Sequence, residues 1–207
     1  MSAAGAPRTT LVKSLAMNAI EAKLGPRIQV VGPSCAGKTT LAAELARRIG
    51  ADFLELDALF WRPGWREPPA EEFAATLREA TAGERWVAAG NYTRHSVPLY
   101  WPRLTTVVWL DFPMRRVTPR ILRRSWRRWR ANEHLWGTNY ERFWSQLKLW
   151  SAKDSLIGYG VKNRRHMRTR FLDAMAAPEL RHIHWVRLTT PVQVRSWLAD
   201  LERPDPR

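Results

Sequence analysis

An α/β fold, with a five-stranded parallel sheet flanked by helices and an arginine-rich helical lid inserted after the fourth strand, is predicted by three observations. Short β-branched and aromatic runs alternate with helical patterns in the order a parallel sheet requires. The octapeptide Gly32-Pro33-Ser34-Cys35-Ala36-Gly37-Lys38-Thr39 stands between an apolar run and an amphipathic helical stretch, the setting of a phosphate-binding P-loop. After the fourth apolar run the strand pattern stops for about seventy residues, and the charge turns strongly basic. Together these define the P-loop NTPase fold as the expectation.

Residues 1–25 read as a partly ordered extension carrying a short helix within Leu11 to Leu24. Residues 26–207 read as one domain, with the lid at about 113–178. Ile28 to Val31 is the first strand, and Leu41 to Ile49 is the helix after the P-loop. Phe53 to Leu56 is the second strand, followed by a Pro- and Trp-rich loop from Asp57 to Pro69. Pro69 with Glu71 and Glu72 opens a helix to about Ala82, a start with the charge its dipole favours. Trp86 to Ala89 and Thr106 to Leu110 are the third and fourth strands. In the insertion, Leu122, Trp126 and Trp129 recur at helical spacing. So do Tyr140, Phe143, Trp144 and Leu147, and Met167, Phe171 and Ala174, all expected to pack. Gly137 and the pair Gly158 and Gly160 are expected to mark helix breaks. Ile183 to Leu188 is the last strand, and Thr190 caps a closing helix with Pro191 at its first position.

The 207 residues suffice for one full core. A single cysteine, Cys35, can form no intrachain disulfide and fits a reducing cytoplasm. No segment approaches the ~20 apolar residues of a membrane span, so no membrane partner is expected. The net charge is +15. Between Met114 and Arg170 sixteen Lys or Arg face three acidic residues, which leaves +13 there and near balance elsewhere. That segment suits the phosphates of small nucleotides or a nucleic-acid surface, and much of it is a solvated face in either case.

The motifs supply the parts of a phosphoryl transfer, which needs in-line substrates, a metal ion and positive charge around the moving oxygens. Gly32, Ser34, Ala36, Gly37, Lys38, Thr39 and Thr40 form the donor cradle. Main-chain N–H groups and the helix dipole meet phosphate there, the Lys38 ammonium bridges the terminal phosphates, and the Thr39 hydroxyl ligates Mg²⁺. A nucleoside triphosphate with Mg²⁺ is therefore the expected cofactor pair. Carboxylates belong at the C-terminal strand ends, where open α/β sheets bind ligands. Asp57 follows the second strand and serves as acceptor base, acceptor anchor or metal carboxylate. Glu55, two residues before it, points the same way if the strand continues that far. Asp111 follows the fourth strand and equally suits a helix cap. Arg120, Arg123, Arg124 and Arg127, at i, i+3, i+4 and i+7, lie along one side of a helix, and Arg164, Arg165 and Arg168 repeat the grouping. Guanidinium forks suit bidentate phosphate contact and transition-state charge. Trp61, Asn91, Tyr92, Arg94 and His95 are expected around the acceptor, with Trp61 and Trp65 available to stack on a ring.

Taken together, the P-loop, Leu56-Asp57-Ala58-Leu59-Phe60-Trp61, Arg62-Pro63-Gly64-Trp65, Gly90-Asn91-Tyr92 and the arginine-rich helix after Asp111-Phe112-Pro113 resemble the bacterial adenylate-kinase-related P-loop proteins often labelled topology modulation proteins. The resemblance spans about Arg27 to Leu201. It implies a nucleoside-monophosphate-kinase-like fold, a mobile arginine lid and ATP with Mg²⁺ as donor. It also implies lid arginines at Arg120, Arg123 or Arg124 on the adenine and phosphates, and a Leu188 to Pro191 loop beside the adenine. One departure is Ala89, where related proteins carry an aspartate, and it shifts weight onto Asp57.

Catalysis by Lys38, Asp57, Arg120, Arg124 and Arg164 on a nucleoside monophosphate or another small acceptor is the first expectation. Arg165 and Arg168 are expected at the acceptor, and a monomer or homodimer in the cytoplasm is anticipated. The competing class is a nucleotide-binding regulator or nucleic-acid-binding protein without transfer activity, favoured by Ala89 and by the Trp and Arg interleaving around Arg123 to Arg130.

Overall fold

The computed structural model describes residues 17–136, 139–140, 143–147 and 155–203. Residues 17–24 are helical (α1), and their Ile20 and Leu24 are buried in the main core. Then follow β1 (Arg27–Val31), α2 (Lys38–Ile49), β2 (Asp52–Glu55), α3 (Leu56–Phe60), α4 (Ala70–Ala80), β3 (Trp86–Ala89), α5 (Thr93–Leu99) and β4 (Thr106–Leu110). The insertion contributes α6 (Met114–Arg130), the short strands β5 (His134–Leu135) and β6 (Asn139–Tyr140), a 3₁₀ turn at Phe143–Leu147 and α7 (Leu156–Ala176). The chain closes with β7 (His184–Leu188) and α8 (Pro191–Leu201).

All five long strands pair in parallel in the order β2-β3-β1-β4-β7, which puts β1 and the P-loop at the centre of the sheet. Every residue of β3 and β4 is buried, as expected of strands covered on both faces. One side of the sheet packs Val30, Val87, Val108 and Leu110 against Leu41, Leu45 and Ile49 of α2, with Val117 and Ile121 of α6 and Ile157 of α7. The other packs Val31, Trp86, Val107 and Trp109 against Leu56, Phe73, Leu77, Trp101 and Phe171. Each fully buried aliphatic side chain of this kind contributes about 1.5–3 kcal/mol relative to exposure. Gln29, fully buried on β1, is satisfied by the Trp101 indole, which donates to its Oε1 at 2.6 Å, and by its own donation to Gly90 O at 2.9 Å.

Strands β3 and β4 span the expected residues, and β1 and β7 shift by one at their starts. Thr190 caps α8 through a reciprocal box with Gln193. Several expectations are corrected. Leu56 does not end β2 but opens α3, so the stretch after it is a helical turn rather than plain loop. Pro69 is the N-cap of α4 rather than its first residue. Residues 93–99 form α5, a helix with no sequence expectation. The insertion is not wholly helical, because β5 and β6 pair antiparallel, and Tyr140 lies on that ladder rather than on a helix. Gly158 and Gly160 do not break a helix; both lie in α7. Gly158 takes the Ser155 cap, and a Cβ on Gly160 would come within 2.8 Å of Met114 Cε. Here glycine allows α6 and α7 to approach. Gly137 lies outside the described residues. Finally, Trp126 and Trp129 are each 44 % exposed, so their stripe packs only partly, against Phe143 and Trp144.

Candidate active site

Chemistry converges at the C-terminal ends of β1, β2, β3 and β4. Buried β1 ends at Gly32, whose φ of 143° no Cβ-bearing residue adopts readily and where a Cβ would meet Leu110 O at 2.6 Å. The loop then turns through Cys35, at a positive φ of 58°, and Gly37, at 97°, which is the N-cap of α2. No acidic residue stands in the first turn of α2, so its dipole faces the loop uncompensated. Ala36 N–H donates to Pro33 O at 3.2 Å and Lys38 Nζ to the same carbonyl at 3.1 Å, which folds the ammonium back over the loop. Ser34 lines the adjoining cleft, whereas Thr40 is exposed on α2.

Lys38 is the electrostatic centre. Burial pushes its ammonium below the ordinary lysine value; Asp57 opposes that shift most strongly, with smaller help from Cys35 and Glu55, and Arg124 reinforces it. Asp57, Glu55 and Arg124 of α6 thus each act on the charge of Lys38. The Thr39 hydroxyl donates to Glu55 Oε1 at 3.3 Å. Glu55 pairs in register with Ala89, so a carboxylate absent from β3 stands on the neighbouring strand instead. The hydroxyl and the carboxylate are hard oxygen donors suited to an ion that takes its other ligands from phosphate and water, and Mg²⁺ has that habit. Among the described residues no three His, Cys, Asp or Glu side chains converge into a complete metal cage.

Asp57, in the first turn of α3, accepts from the Tyr92 hydroxyl at 2.8 Å. Asn91 lies between the acceptor side and the donor loop. Its Oδ1 accepts from Gly32 N, and its Nδ2 donates to Gly32 O, both at 2.9 Å.

A second focus is Asp111, 6 % exposed at the end of β4. It does not cap α6, whose N-cap is Pro113 with no side-chain bond. Its carboxylate instead gathers three guanidinium groups. Arg187 donates through Nη2 at 2.5 Å and Nε at 3.1 Å, and Arg164 and Arg168 of α7 stand at 3.5 Å and 3.6 Å. Arg164 also donates to Phe112 O at 2.6 Å, and Arg187 lies over the Trp109 ring at 4.7 Å. Asp111, Arg164 and Arg168 border an open cleft that runs from Gly32, Pro33 and Ser34 past Asn91 to Tyr159, Met167 and Phe171. Sequence reasoning offered Asp111 as a strand-end carboxylate or a helix cap, and missed Arg187 and the pairing between them. A carboxylate and an arginine at neighbouring strand ends carried the signal, but the pairing of β4 with β7 spans 76 residues.

The other expected residues divide. Arg120 and Arg124 are half-buried, Arg120 lying over Phe112 at 5.8 Å, while Arg123 and Arg127 face solvent. The quartet thus forms two i, i+4 rows rather than one. Arg94, Arg123 and Arg165 are exposed and form no hydrogen bond or ion pair among the described residues. His95 packs edge-on against Phe73. Trp61 and Trp65 contact each other at 5.4 Å, and Trp65 reaches the insertion. There its backbone N–H donates to Asn139 Oδ1 at 2.8 Å, its indole to Tyr140 O at 3.1 Å, and its ring meets Trp136 at 5.7 Å. The loop of residues 188–191 is engaged by Gln193, whose Oε1 accepts from Thr189 N and Thr190 N.

Fold and loop define a P-loop α/β protein of the kinase-fold type. No protein-family model and no curated protein matches the sequence. Among solved structures, a gluconokinase from Sinorhizobium meliloti 1021 is similar at 18 % identity and a TM-score of 0.50, over 86 % of this chain and 92 % of that one. A shikimate kinase from Acinetobacter baumannii in complex with shikimate has 20 % identity and a TM-score of 0.47, over 88 % and 94 %. At such identities the likeness is one of fold. Among the described residues no helix is long and apolar enough to cross a membrane.

Proposed function

We propose that the protein is an ATP- and Mg²⁺-dependent phosphotransferase acting on a small acceptor, a nucleoside monophosphate or another small hydroxyl or phosphate compound. The observation that carries the reading is the phosphate loop at the centre of the sheet, with the Thr39 hydroxyl bonded to Glu55 and with Asp57 and Arg124 acting on the charge of Lys38. The quoted Asp57–Trp61 and Gly90–Tyr92 segments favour the topology modulation group within that class.

In this reading the P-loop amides and the α2 N-terminus hold the β- and γ-phosphates, and Lys38 neutralises the charge that spreads over the γ-oxygens. Thr39 and Glu55 would hold Mg²⁺, which when bound neutralises phosphate charge and fixes the donor's orientation. Asp57 keeps one oxygen clear of Tyr92 and accepts the proton of the attacking hydroxyl or anchors the acceptor. Arg124 adds positive charge near Lys38, and Arg164 and Arg168 line the cleft. An ATP-consumption screen over nucleoside monophosphates, nucleosides, sugars and aminoglycoside-like alcohols tests the proposal. Turnover with one compound class supports it; no consumption across the panel refutes it.

A second reading has its own observation. Trp126, Trp129 and Trp144, exposed by 44 %, 44 % and 61 %, form a ring cluster beside exposed Arg123, Arg127 and Arg130. Stacking faces among arginines suit a single-stranded nucleic acid. Binding that falls steeply with salt, with no ATP consumption, would favour a regulator.

A further inference from the structure

The transfer scheme leaves one polar side chain at the cleft without a chemical task. Asn91 sits between loop and acceptor cleft, yet both ends of its amide are committed to the backbone of one residue, Gly32, 59 positions earlier. Gly32 is where β1 becomes the phosphate loop. At its φ of 143°, and with Leu110 O 2.6 Å from any Cβ, it admits no side chain of its own to hold the peptide in place. Rotating that peptide would re-aim the N–H groups that follow, so its orientation must be set from outside. Asn91 is itself anchored in the buried sheet. Gly90 N donates to Val30 O at 3.1 Å, and Gly90 O accepts from the fully buried Gln29, which is tied in turn to the Trp101 indole.

We propose that Asn91 is a positioning residue that fixes the phosphate loop for its triphosphate, rather than a group that touches the acceptor. The inference rests on the donor reading above. An amide is required because it meets an N–H with an acceptor and a C=O with a donor. A carboxylate of the same shape keeps the first bond and sets negative charge against the second.

The test titrates full-length wild type, Asn91→Ala and Asn91→Asp with a non-hydrolysable ATP analogue plus Mg²⁺ in a calorimeter. Amide hydrogen exchange at residues 30–32 is followed on the same proteins. Both variants are expected to bind the analogue about 10–50-fold more weakly, consistent with loss of one or two hydrogen bonds around a charged ligand. In Asn91→Ala the Gly32 amide exchanges at least tenfold faster, while Val30 and Val31 keep their protection in the sheet ladder. The isosteric Asn91→Asp separates the amide's role from its volume. Wild-type affinity in both variants, or unchanged Gly32 exchange in Asn91→Ala, would overturn the clamp alone. A wild-type chain that takes up no analogue overturns the donor reading and the clamp's function with it.

Discussion

The Tyr92 hydroxyl donates to Asp57 Oδ1 at 2.8 Å and joins the exit of β3 to the first turn of α3. Burial first, then the Asp57 charge and the hydrogen bond to it, push the phenol far above its ordinary value, so it stays a donor across the working pH range. Asp57 is thereby held in one orientation beside Lys38. If the group acts on the acceptor as proposed, Asp57→Asn is expected to cut turnover about 100-fold or more while ATP affinity changes only a few-fold. Turnover and calorimetric affinity measured together check this; equal losses would mark Asp57 as structural.

In the proposed transfer the ammonium meets charge that develops on the transferring group, so Lys38→Ala is expected to lower turnover by about three orders of magnitude. The side chain is half-buried at a loop, and its only hydrogen bond among the described residues is to Pro33 O, so far-UV circular dichroism should stay unchanged. A variant that retains turnover refutes the donor assignment.

Proton linkage gives a readout independent of activity. The folded, unliganded protein holds Lys38 below the ordinary 10.5, so the unfolded chain binds that proton more tightly. Stability of the unliganded protein therefore rises with pH between the lowered value and 10.5. A bound triphosphate raises the lysine value again, so binding takes up protons once the pH exceeds the lowered value. Calorimetry in two buffers of different ionisation enthalpy should give binding heats that diverge as pH rises, and Lys38→Met should abolish the divergence. Heats independent of buffer would contradict the assignment.

Asp111→Ala removes the one carboxylate among the described residues that pairs with Arg164, Arg168 and Arg187. Leaving a buried cation unpaired costs about 3–5 kcal/mol, and the partial exposure of these arginines reduces the expected loss to about 1–3 kcal/mol. Urea denaturation measures it. A loss near zero would show that water satisfies the guanidinium groups fully.

Gly90→Ala tests the close approach at the exit of β3. A Cβ there meets Leu56 Cβ at 2.9 Å on a backbone with φ of 147°, so strain and clash together should cost about 2–4 kcal/mol. A thermal midpoint within a degree of wild type would refute the close approach.

What could be read from the chain follows the range of each signal. Strands β1, β3 and β4 are legible because burial on both faces leaves continuous apolar runs, α2 because its buried residues recur at helical spacing, and the P-loop carries its chemistry within eight residues. Helix α3 is hidden because five residues, Leu56 to Phe60, complete barely more than one helical turn. Helix α5 is hidden because Pro98 inside it reads as a break. The glycines of α7 look like punctuation until the Met114 side chain opposite Gly160 explains them. Asn91 and Asp111 lie on the page as plausible ligands of small molecules. Their real partners, Gly32 and Arg187, are set by strand order, which pairs residues far apart in the chain.

Trp65 and Asn139 join the 62–66 turn to the β5–β6 hairpin, and Asn139, 1 % exposed, also donates to Arg62 O. This rim is assembled from segments 74 positions apart. Redesigning acceptor choice by grafting a foreign 57–69 segment would orphan a fully enclosed amide and strand the Trp136 indole, so a working chimera has to carry its matching hairpin along with the graft.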